Sequence, residues 1–384
     1  MFVKSIELTN FRNYEHCTAF FPTNKIILVG NNAQGKTNLI ESIYFLATLS
    51  PLRSCTEKDL IKWGSNFCHI SAEVAKENAD VKLDVIINPP KHKILKLNGI
   101  KKTKYSHYLG NLLVVNFGIN DLLLLRGSPS DRRKWVDDAI SQIYPSYNDI
   151  LTKFNRIKTH RNNLLKEFKG NTNLSLSQKE ILSVWDEQLT SNGSNLIYLR
   201  QKFLREINKK SLIKHKFITK DEENLFINYD STVIGILDFS KNINIEIKEI
   251  YDLYKEKLEK KRNEEIIRSQ SLIGPHRDDI KFLINGIDAL NFASQGQQRT
   301  VVLSLKLAEL DFIKEIKGEN PILLLDDVLA ELDQSRQNFL LQSIGNEIQT
   351  IVTTVDISNF ESSYVNNVTI YNINKGVISK NERT

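Results

Sequence analysis

The chain has 384 residues, of which 41% are hydrophobic and 26% charged, and its formal net charge is +6 at pH 7. This length predicts about two domains, and the composition excludes a mostly disordered chain and a collagen-like fibre. No apolar run approaches the roughly 18–20 residues that cross a bilayer, so we expect no membrane contact. Three cysteines without the spacing of a metal site favour a reducing cytoplasm, and the mild positive charge is compatible with a polyanionic partner.

The first strong motif follows a short apolar run at residues 25–29 and fits the pattern G-x-x-x-x-G-K-[ST]. It consists of Gly30, Asn31, Asn32, Ala33, Gln34, Gly35, Lys36 and Thr37, followed by Asn38. An apolar helical stretch comes next, which completes the strand, loop and helix of a P-loop. Backbone N–H groups can surround phosphates there, Lys36 can reach the β- and γ-phosphates of ATP, and Thr37 can bind Mg²⁺. The motif therefore predicts a site for ATP and Mg²⁺.

Residues 91–105 predict a lysine-rich β-hairpin with an Asn-Gly turn. Lys101, Lys102 and Lys104 could lie along the phosphates of DNA. Lysines on an edge hairpin also prevent edge-to-edge pairing of sheets. Both interpretations stay open.

A mostly helical segment follows. A capping box at residues 128–131 begins its first helix, where Arg132 and Arg133 are candidates for contacts with DNA phosphates. Apolar stripes predict two more helices before Asn192-Gly193 and a fourth after it. The next segment, up to about residue 246, resembles short strands and loops.

A very polar helix is predicted from about Glu246 to Arg268. Beyond it, His276 and Arg277 precede two aspartates. They could belong to a buried hydrogen-bonded cluster or to a nucleotide site, and the residues alone do not decide.

Residues 293–300, ASQGQQRT, precede an apolar helix. A Ser-x-Gly-Gln loop that caps a helix is a second anion-binding helix N-terminus, and it resembles the signature loop of ABC-type ATPases. In that superfamily the loop serves the nucleotide of the other subunit, so the resemblance implies a homodimer with two ATP molecules between the heads. Ser294 is the candidate cap for the γ-phosphate in the second subunit, and Gln297 lies in the same loop.

Residues 321–327, PILLLDD, predict a second buried strand that ends in two carboxylates. Asp326 can hold Mg²⁺ through water, and Asp327 can orient or deprotonate the attacking water. Lys36, Ser294 and these two aspartates form the predicted catalytic set. Glu331 to Asp333 follow at the spacing of the ABC-type D-loop, which makes Asp333 a candidate nucleotide contact.

Two roles common in such enzymes lack a clear residue. The Q-loop function could fall to Asn116, Asn120 or Asp121. After the next predicted strand, where ABC transporters place a switch histidine, the chain has Thr354 preceded by Thr353, and either could sense the γ-phosphate. This departure counts against a transporter motor, and the absence of an N-K-x-D motif counts against a GTP-specific switch.

The order of motifs predicts an α/β fold: an ABC-type P-loop ATPase head with an inserted, mostly helical arm lobe. We expect the N-terminal part of the head at residues 1–118, the lobe at 119–268 and the C-terminal part of the head at 269–384.

The chain resembles the RecF family, bacterial recombination-mediator ATPases related to SMC heads. The matching stretches run along nearly the whole chain and are residues 8–14, 31–38, 126–129, 132–133, 161–166, 274–279, 294–299, 325–327 and 331–333. The resemblance also makes Arg12, after the first predicted strand, a candidate phosphate contact.

This resemblance implies ATP-dependent dimerisation on gapped DNA and at junctions of single- and double-stranded DNA. It implies work with RecR and RecO in loading RecA, slow DNA-stimulated ATP hydrolysis, and a cytoplasmic, nucleoid-associated location.

Overall fold

The chain folds into two compact units in a computed structural model that describes residues 1–53, 55–77, 79–170, 174–241, 243–329, 332–357 and 368–380. The head comprises Met1–Leu122, Ser141–Pro145 and Arg299–Thr384, and the lobe comprises Leu123–Ile140 and Ser146–Gln298. Within the described residues, no helix is both long and apolar enough to cross a membrane.

Twelve of the sixteen described strands lie in the head and four in the lobe. The described strands are β1 (Phe2–Phe11), β2 (Tyr14–Phe20), β3 (Lys25–Val29), β4 (Cys68–Ala75), β5 (Val81–Ile87), β6 (Ile94–Leu97), β7 (Ile100–Lys102), β8 (Val114–Gly118), β9 (Leu225–Ser231), β10 (Gly235–Asp238), β11 (Asp279–Ile284), β12 (Ile287–Asp288), β13 (Ile322–Asp326), β14 (Thr350–Thr354), β15 (Thr369–Asn374) and β16 (Val377–Lys380). The described α-helices are α1 (Lys36–Thr48), α2 (Leu123–Arg126), α3 (Pro129–Ile143), α4 (Ser146–Glu167), α5 (Leu176–Ile218), α6 (Ile247–Arg268), α7 (Ala289–Phe292), α8 (Gln295–Lys317) and α9 (Gln334–Ile344).

The head is built from two six-stranded sheets that pack on α1. One sheet is antiparallel, in the order β2-β1-β4-β5-β6-β7, and the other has the order β16-β15-β3-β14-β13-β8, with only β16 antiparallel to its neighbour. Helix α1 contacts strands of both sheets and buries Leu39, Ile43 and Phe45 completely. This helix, which follows the P-loop, is thus fixed by a large apolar core of the head.

Parallel pairing brings the ends of distant strands to one edge of the second sheet. Val29 at the end of β3 pairs with Thr354 on β14, and Asp326 at the end of β13 pairs with Thr353. Ligands of open α/β sheets bind beyond such carboxyl ends. The P-loop and the two aspartates therefore meet at this edge.

The lobe combines helices with a four-stranded antiparallel sheet in the order β10-β9-β11-β12. Strand β11 pairs with β9 along its whole length, so the segment after α6 still belongs to the lobe. For this reason the return to the head lies at residues 298–299, later than the boundary at residues 268–269 that we expected from sequence. The strands around residues 225–238 and the polar helix α6 are found where the sequence predicts them.

The prediction that Asn192-Gly193 separates two helices is wrong. Helix α5 runs without interruption for 43 residues, and Gly193 lies buried in its middle. A Cβ atom at Gly193 would come within 2.5 Å of the ring of Tyr254 on α6 and 3.1 Å of the ring of Phe154 on α4. The glycine is there because these rings approach the backbone of α5 closely, and it does not end the helix.

We predict that Gly193→Ala destabilises the lobe. Replacing glycine by alanine inside a helix raises the free energy of unfolding by about 1 kcal/mol. Overpacking against the two rings lowers it by about 1–3 kcal/mol. Urea unfolding followed by circular dichroism should show a lower midpoint for this variant. Ser191→Ala, on an exposed position of the same helix, is the control and should not lower it. An equal rise in stability for both variants would contradict the close packing.

Candidate nucleotide-binding site

The P-loop connects β3 to α1 through backbone conformations that few side chains tolerate. Gly35, at the N-terminus of α1, has φ 118°, and Ala33 has φ 63°. A Cβ atom at Gly35 would lie 2.7 Å from the amide of Asn13, and one at Gly30 would lie 2.3 Å from the carbonyl oxygen of Ile373. The two glycines of the motif are therefore required by the crowding around the loop as well as by its turn.

Side chains from the β1–β2 turn hold the loop in place. The Asn13 amide donates to the carbonyl oxygen of Gln34 (3.0 Å) and accepts from the Asn38 amide (2.8 Å). The buried Tyr14 hydroxyl donates to the carbonyl oxygen of Gly35 (2.9 Å). Sequence reasoning did not assign these roles to Asn13 and Tyr14, because the contact is set by tertiary packing rather than by a local pattern.

Lys36 occupies the centre of the loop. Its ammonium donates to the carbonyl oxygens of Gly30 (2.6 Å) and Asn31 (3.1 Å), and its side chain is almost fully buried. A buried cation that has only neutral acceptors is well placed to exchange them for phosphate oxygens, because charge-assisted hydrogen bonds are stronger.

Thr37 and Asp326 meet beside the loop, 289 residues apart in sequence. The Thr37 hydroxyl donates to Asp326 Oδ1 at 2.9 Å, and the Thr353 hydroxyl donates to the same oxygen at 2.8 Å. A hydroxyl beside a carboxylate is the hard oxygen donor set that Mg²⁺ prefers. The residues thus fit the predicted Mg²⁺ site.

Burial raises the pKa of Asp326; the hydrogen bonds from Thr353 and Thr37 oppose this, and the charge of Asp327 adds to it, so the net shift is upward. An ionised carboxylate is therefore disfavoured here, and a bound cation would relieve that cost.

Asp327 follows in a left-handed conformation with φ 54°, and its N–H donates to the Thr353 hydroxyl at 2.9 Å. Asp327 lines a cavity of about 270 Å³ that the P-loop also lines. Arg53 lines the same cavity and was missed from sequence, since it belongs to no motif. Thr353, one of two candidate γ-phosphate sensors, instead contacts both aspartates.

Arg12 lies close to α1, with its guanidinium bound to Glu41. Its Nε and Nη2 atoms each donate to one carboxylate oxygen at 2.9 Å, and Nη1 donates to the carbonyl oxygen of Asp59 at 2.8 Å. Contact between Arg12 and a phosphate, as the family resemblance implies, would require this bidentate pair to open.

The signature-like loop lies in the lobe and caps α8. The N–H of Gln297 donates to Ser294 Oγ (3.2 Å), and the N–H of Ser294 donates to Gln297 Oε1 (2.8 Å), which is a reciprocal capping box. The predicted cap of the helix is thus confirmed, whereas the contact of Ser294 with a γ-phosphate stays a prediction. The side-chain amide of Gln297 also donates to Glu223 (2.8 Å), while Ser294 is exposed.

The D-loop candidate Asp333 caps α9, where it accepts from the N–H of Arg336 at 3.0 Å and pairs with the guanidinium of that residue. Glu331 lies outside the described residues. Among the Q-loop candidates, Asp121 accepts from the N–H of Gly118 (2.7 Å) and pairs with the buried Lys306 (3.0 Å). Asn120 is exposed and Asn116 is buried, and the choice among the three stays open.

The candidate DNA contacts fall into two groups. Lys101, Lys102 and Lys104 lie on or just after β7, the edge strand of the predicted hairpin, and all three are at least partly exposed. Arg132 is buried, and it forms a bidentate pair with Asp279 at 2.7 and 2.9 Å. Because that pair supports the lobe from inside, we withdraw Arg132 as a DNA contact and keep Arg133.

Comparison of the sequence with known proteins identifies the family. The family model "RecF/RecN/SMC N terminal domain" matches residues 2–379. The DNA replication and repair protein RecF of Pediococcus pentosaceus is 37% identical over 382 residues, which span both chains completely. The chain belongs to the RecF family. The RecF of Streptococcus pyogenes serotype M49 is likewise 37% identical, with 98% of each chain covered.

Solved structures extend this family assignment to the fold. A recombination mediator protein RecF with ATP, from the RecFOR pathway, superposes with a TM-score of 0.88 at 30% identity and covers 99% of this chain and 97% of its own. An Smc head bound to the C-terminal winged-helix domain of ScpA superposes with a TM-score of 0.52 at 14% identity, over 99% of this chain and 97% of its own, a likeness of fold alone. The predicted SMC-like ATPase head of the RecF family is confirmed.

We predict that Asp326→Asn stabilises the protein without Mg²⁺ and nucleotide, and more at pH 8 than at pH 5. The raised pKa of Asp326 means that the folded state loses stability as pH rises from the ordinary range of an aspartate through the raised value. The amide has no such penalty and can still accept both hydroxyls. Urea unfolding in EDTA measures the difference, with Asp80→Asn on the surface as the control. A less stable Asn variant at pH 8 would contradict the shift.

Proposed function

We propose that the protein is an ATP-dependent DNA-binding protein of replication and recombinational repair, and that it hydrolyses ATP slowly. The observation that carries this proposal is the pairing of Thr37 with Asp326 at 2.9 Å beside a cavity lined by the P-loop and Asp327. The similarity to a DNA replication and repair protein and to a recombination mediator protein with ATP supports the biological role.

In this proposal each residue of the cavity has a separate task. Lys36 exchanges the carbonyl oxygens of the loop for the β- and γ-phosphates, while loop N–H groups hold the remaining phosphate oxygens. Thr37 and Asp326 hold Mg²⁺, which supplies charge neutralisation to the phosphates. Asp327 orients or deprotonates the attacking water, and Thr353 holds both aspartates in position.

The proposed active state is a homodimer. Ser294, exposed at the N-terminus of α8, would cap the γ-phosphate held by a second copy, with Gln297 supporting the loop and Asp333 near the same nucleotide. ATP then links two heads, and DNA binding depends on that link.

We further propose that the dimer binds gapped DNA and junctions of single- and double-stranded DNA, and that it works with RecR and RecO in loading RecA. Lys101, Lys102 and Lys104 on the edge hairpin and Arg133 on the lobe are the proposed phosphate contacts. Binding through phosphates makes affinity fall steeply with salt and depend little on base sequence.

We predict that Lys36→Ala abolishes ATP-driven dimerisation, because the phosphates lose the cation that compensates their charge. Sedimentation velocity with ATP and Mg²⁺, with and without a gapped duplex, should show a dimer that remains on DNA for the unmodified protein and a monomer for the variant. Lys62→Ala, at the surface beside Glu15, controls for charge. A dimer of Lys36→Ala like that of the unmodified protein would rule out the assigned role. A dimer that ignores DNA at low salt would remove the repair function and leave the ATPase head.

We predict that Asp327→Asn keeps ATP binding and dimerisation but slows hydrolysis by about 100-fold or more, the usual contribution of a general base. The dimer on DNA should persist as a consequence. Phosphate release under single-turnover conditions measures the rate, and Asp80→Asn serves as the control. Hydrolysis within a few-fold of the unmodified rate would place the base elsewhere.

A further inference from the structure

The segment between α6 and β11, residues 269–278, lies along one face of α4. The rings of Phe154 and His276 have centroids 5.8 Å apart, and Asn162 Oδ1 accepts from both the N–H and the hydroxyl of Ser271 at 2.8 Å. Lys158 is one helical turn from Phe154 and one from Asn162, so it shares this face. Its ammonium therefore lies beside the segment that carries Arg277.

Three cationic side chains lie near this contact between α4 and residues 269–278, namely Arg133, Lys158 and Arg277. Their hydrogen bonds go to neutral oxygens. Lys158 donates to Asn155 Oδ1 (3.2 Å), and Arg133 donates to the carbonyl oxygen of Asp278 (2.6 Å). Arg277 donates to Gln270 Oε1 (3.0 Å) and to the carbonyl oxygen of Ser271 (3.2 and 3.3 Å). In the described part of the lobe, none of the three has a carboxylate within ion-pair distance, which contrasts with the buried Arg132.

The carboxylates that act on Arg133 are already engaged by other groups. Asp279 is bound by Arg132, Asp137 by Arg200, and Asp278 by Tyr229 and Thr232. Two of these three carboxylates are thus already paired with other arginines, and Lys158 and Arg277 add two more positive charges close to Arg133. The local charge is positive.

Burial and neighbouring positive charges lower the pKa values of Lys158, Arg133 and His276. Burial lowers the pKa of Lys158, and the charges of Arg277 and Arg133 lower it further. Burial and then Arg200 lower the pKa of Arg133. Burial, reinforced by Lys158, Arg277 and Arg133 against a hydrogen bond to Ser271, lowers the pKa of His276 to about 3, so that its ring is neutral. An anion placed among the three cations would relieve this repulsion.

We propose that Arg133, Lys158 and Arg277 form a binding site for the phosphate groups of the DNA backbone. This inference rests on the proposed function and extends it to a surface of the lobe. Guanidinium groups match phosphate oxygens in a planar, bidentate geometry, and an ammonium serves as a point charge beside them. Phe154 is buried, so the site offers no ring of that residue for stacking on a base. It recognises the backbone and is insensitive to base sequence.

The test measures the affinity of the full chain for a gapped duplex, with ATP and Mg²⁺, over a series of salt concentrations. The variant is Lys158→Gln/Arg277→Gln, and Arg133 is left intact because its bond to Asp278 supports the lobe. The control is Lys248→Gln/Lys255→Gln, which removes the same charge from exposed positions on α6. Loss of two phosphate contacts lowers the slope of log K against log salt by about 1.8, which is about 60-fold in affinity at 0.1 M salt.

The possible outcomes test the proposed phosphate site and the proposed function separately. A variant that matches the control, while the unmodified chain binds DNA, overturns the site and leaves the proposed function intact. No binding by the unmodified chain at low salt overturns both. Equal losses of ATP affinity and DNA affinity would identify the nucleotide as the ligand and overturn the DNA site. Recovery of the salt slope when Lys and Arg are restored one at a time, with unchanged thermal midpoints throughout, supports it.

Discussion

The hydrogen bond between Thr37 and Asp326 joins two parts of the chain that are separated by the whole lobe. It forms because β3, β14 and β13 are parallel and in register, so that their carboxyl ends reach one edge of the sheet together. A slip of one residue in either pairing would direct Asp326 to the opposite face of the sheet. The nucleotide-binding site therefore depends on sheet register, and the lobe can be inserted between its halves without entering that register.

The same edge of the sheet combines buried charged groups with strained backbone conformations. Lys36 is buried with carbonyl oxygens alone, Asp326 is buried with a raised pKa, and Ala33 and Asp327 have left-handed backbones. Strain and incomplete compensation of this kind persist only where the surroundings fix the geometry. Asn13 and Tyr14 supply that support from a neighbouring turn through hydrogen bonds to the carbonyl oxygens of Gln34 and Gly35.

The parts of this site that sequence predicted are those that local patterns determine. The P-loop, the strand that ends in Asp326 and the cap formed by Ser294 and Gln297 each fit within about ten residues, so spacing alone indicates them. The roles of Tyr14 and Thr353 depend on which strands become neighbours, and no local pattern carries that information. The prediction at Gly193 was wrong because a glycine that ends a helix and a glycine that lets an aromatic ring pack against a helix cannot be told apart in one sequence.

Local sequence also failed to distinguish buried from exposed arginines in the lobe. Arg132 and Arg133 are adjacent, and sequence gave both the same hypothesis. Arg132 lies inside, paired with a carboxylate 147 residues away, whereas the hydrogen bond of Arg133 within the described residues goes to a backbone carbonyl oxygen. Burying an arginine requires a carboxylate partner, so Arg132, Arg161 and Arg200 use the available aspartates and glutamates of the interior. The cations left over, Arg133, Lys158 and Arg277, gather where a helix and a loop meet, and a protein that only needed stability would gain from placing a carboxylate among them.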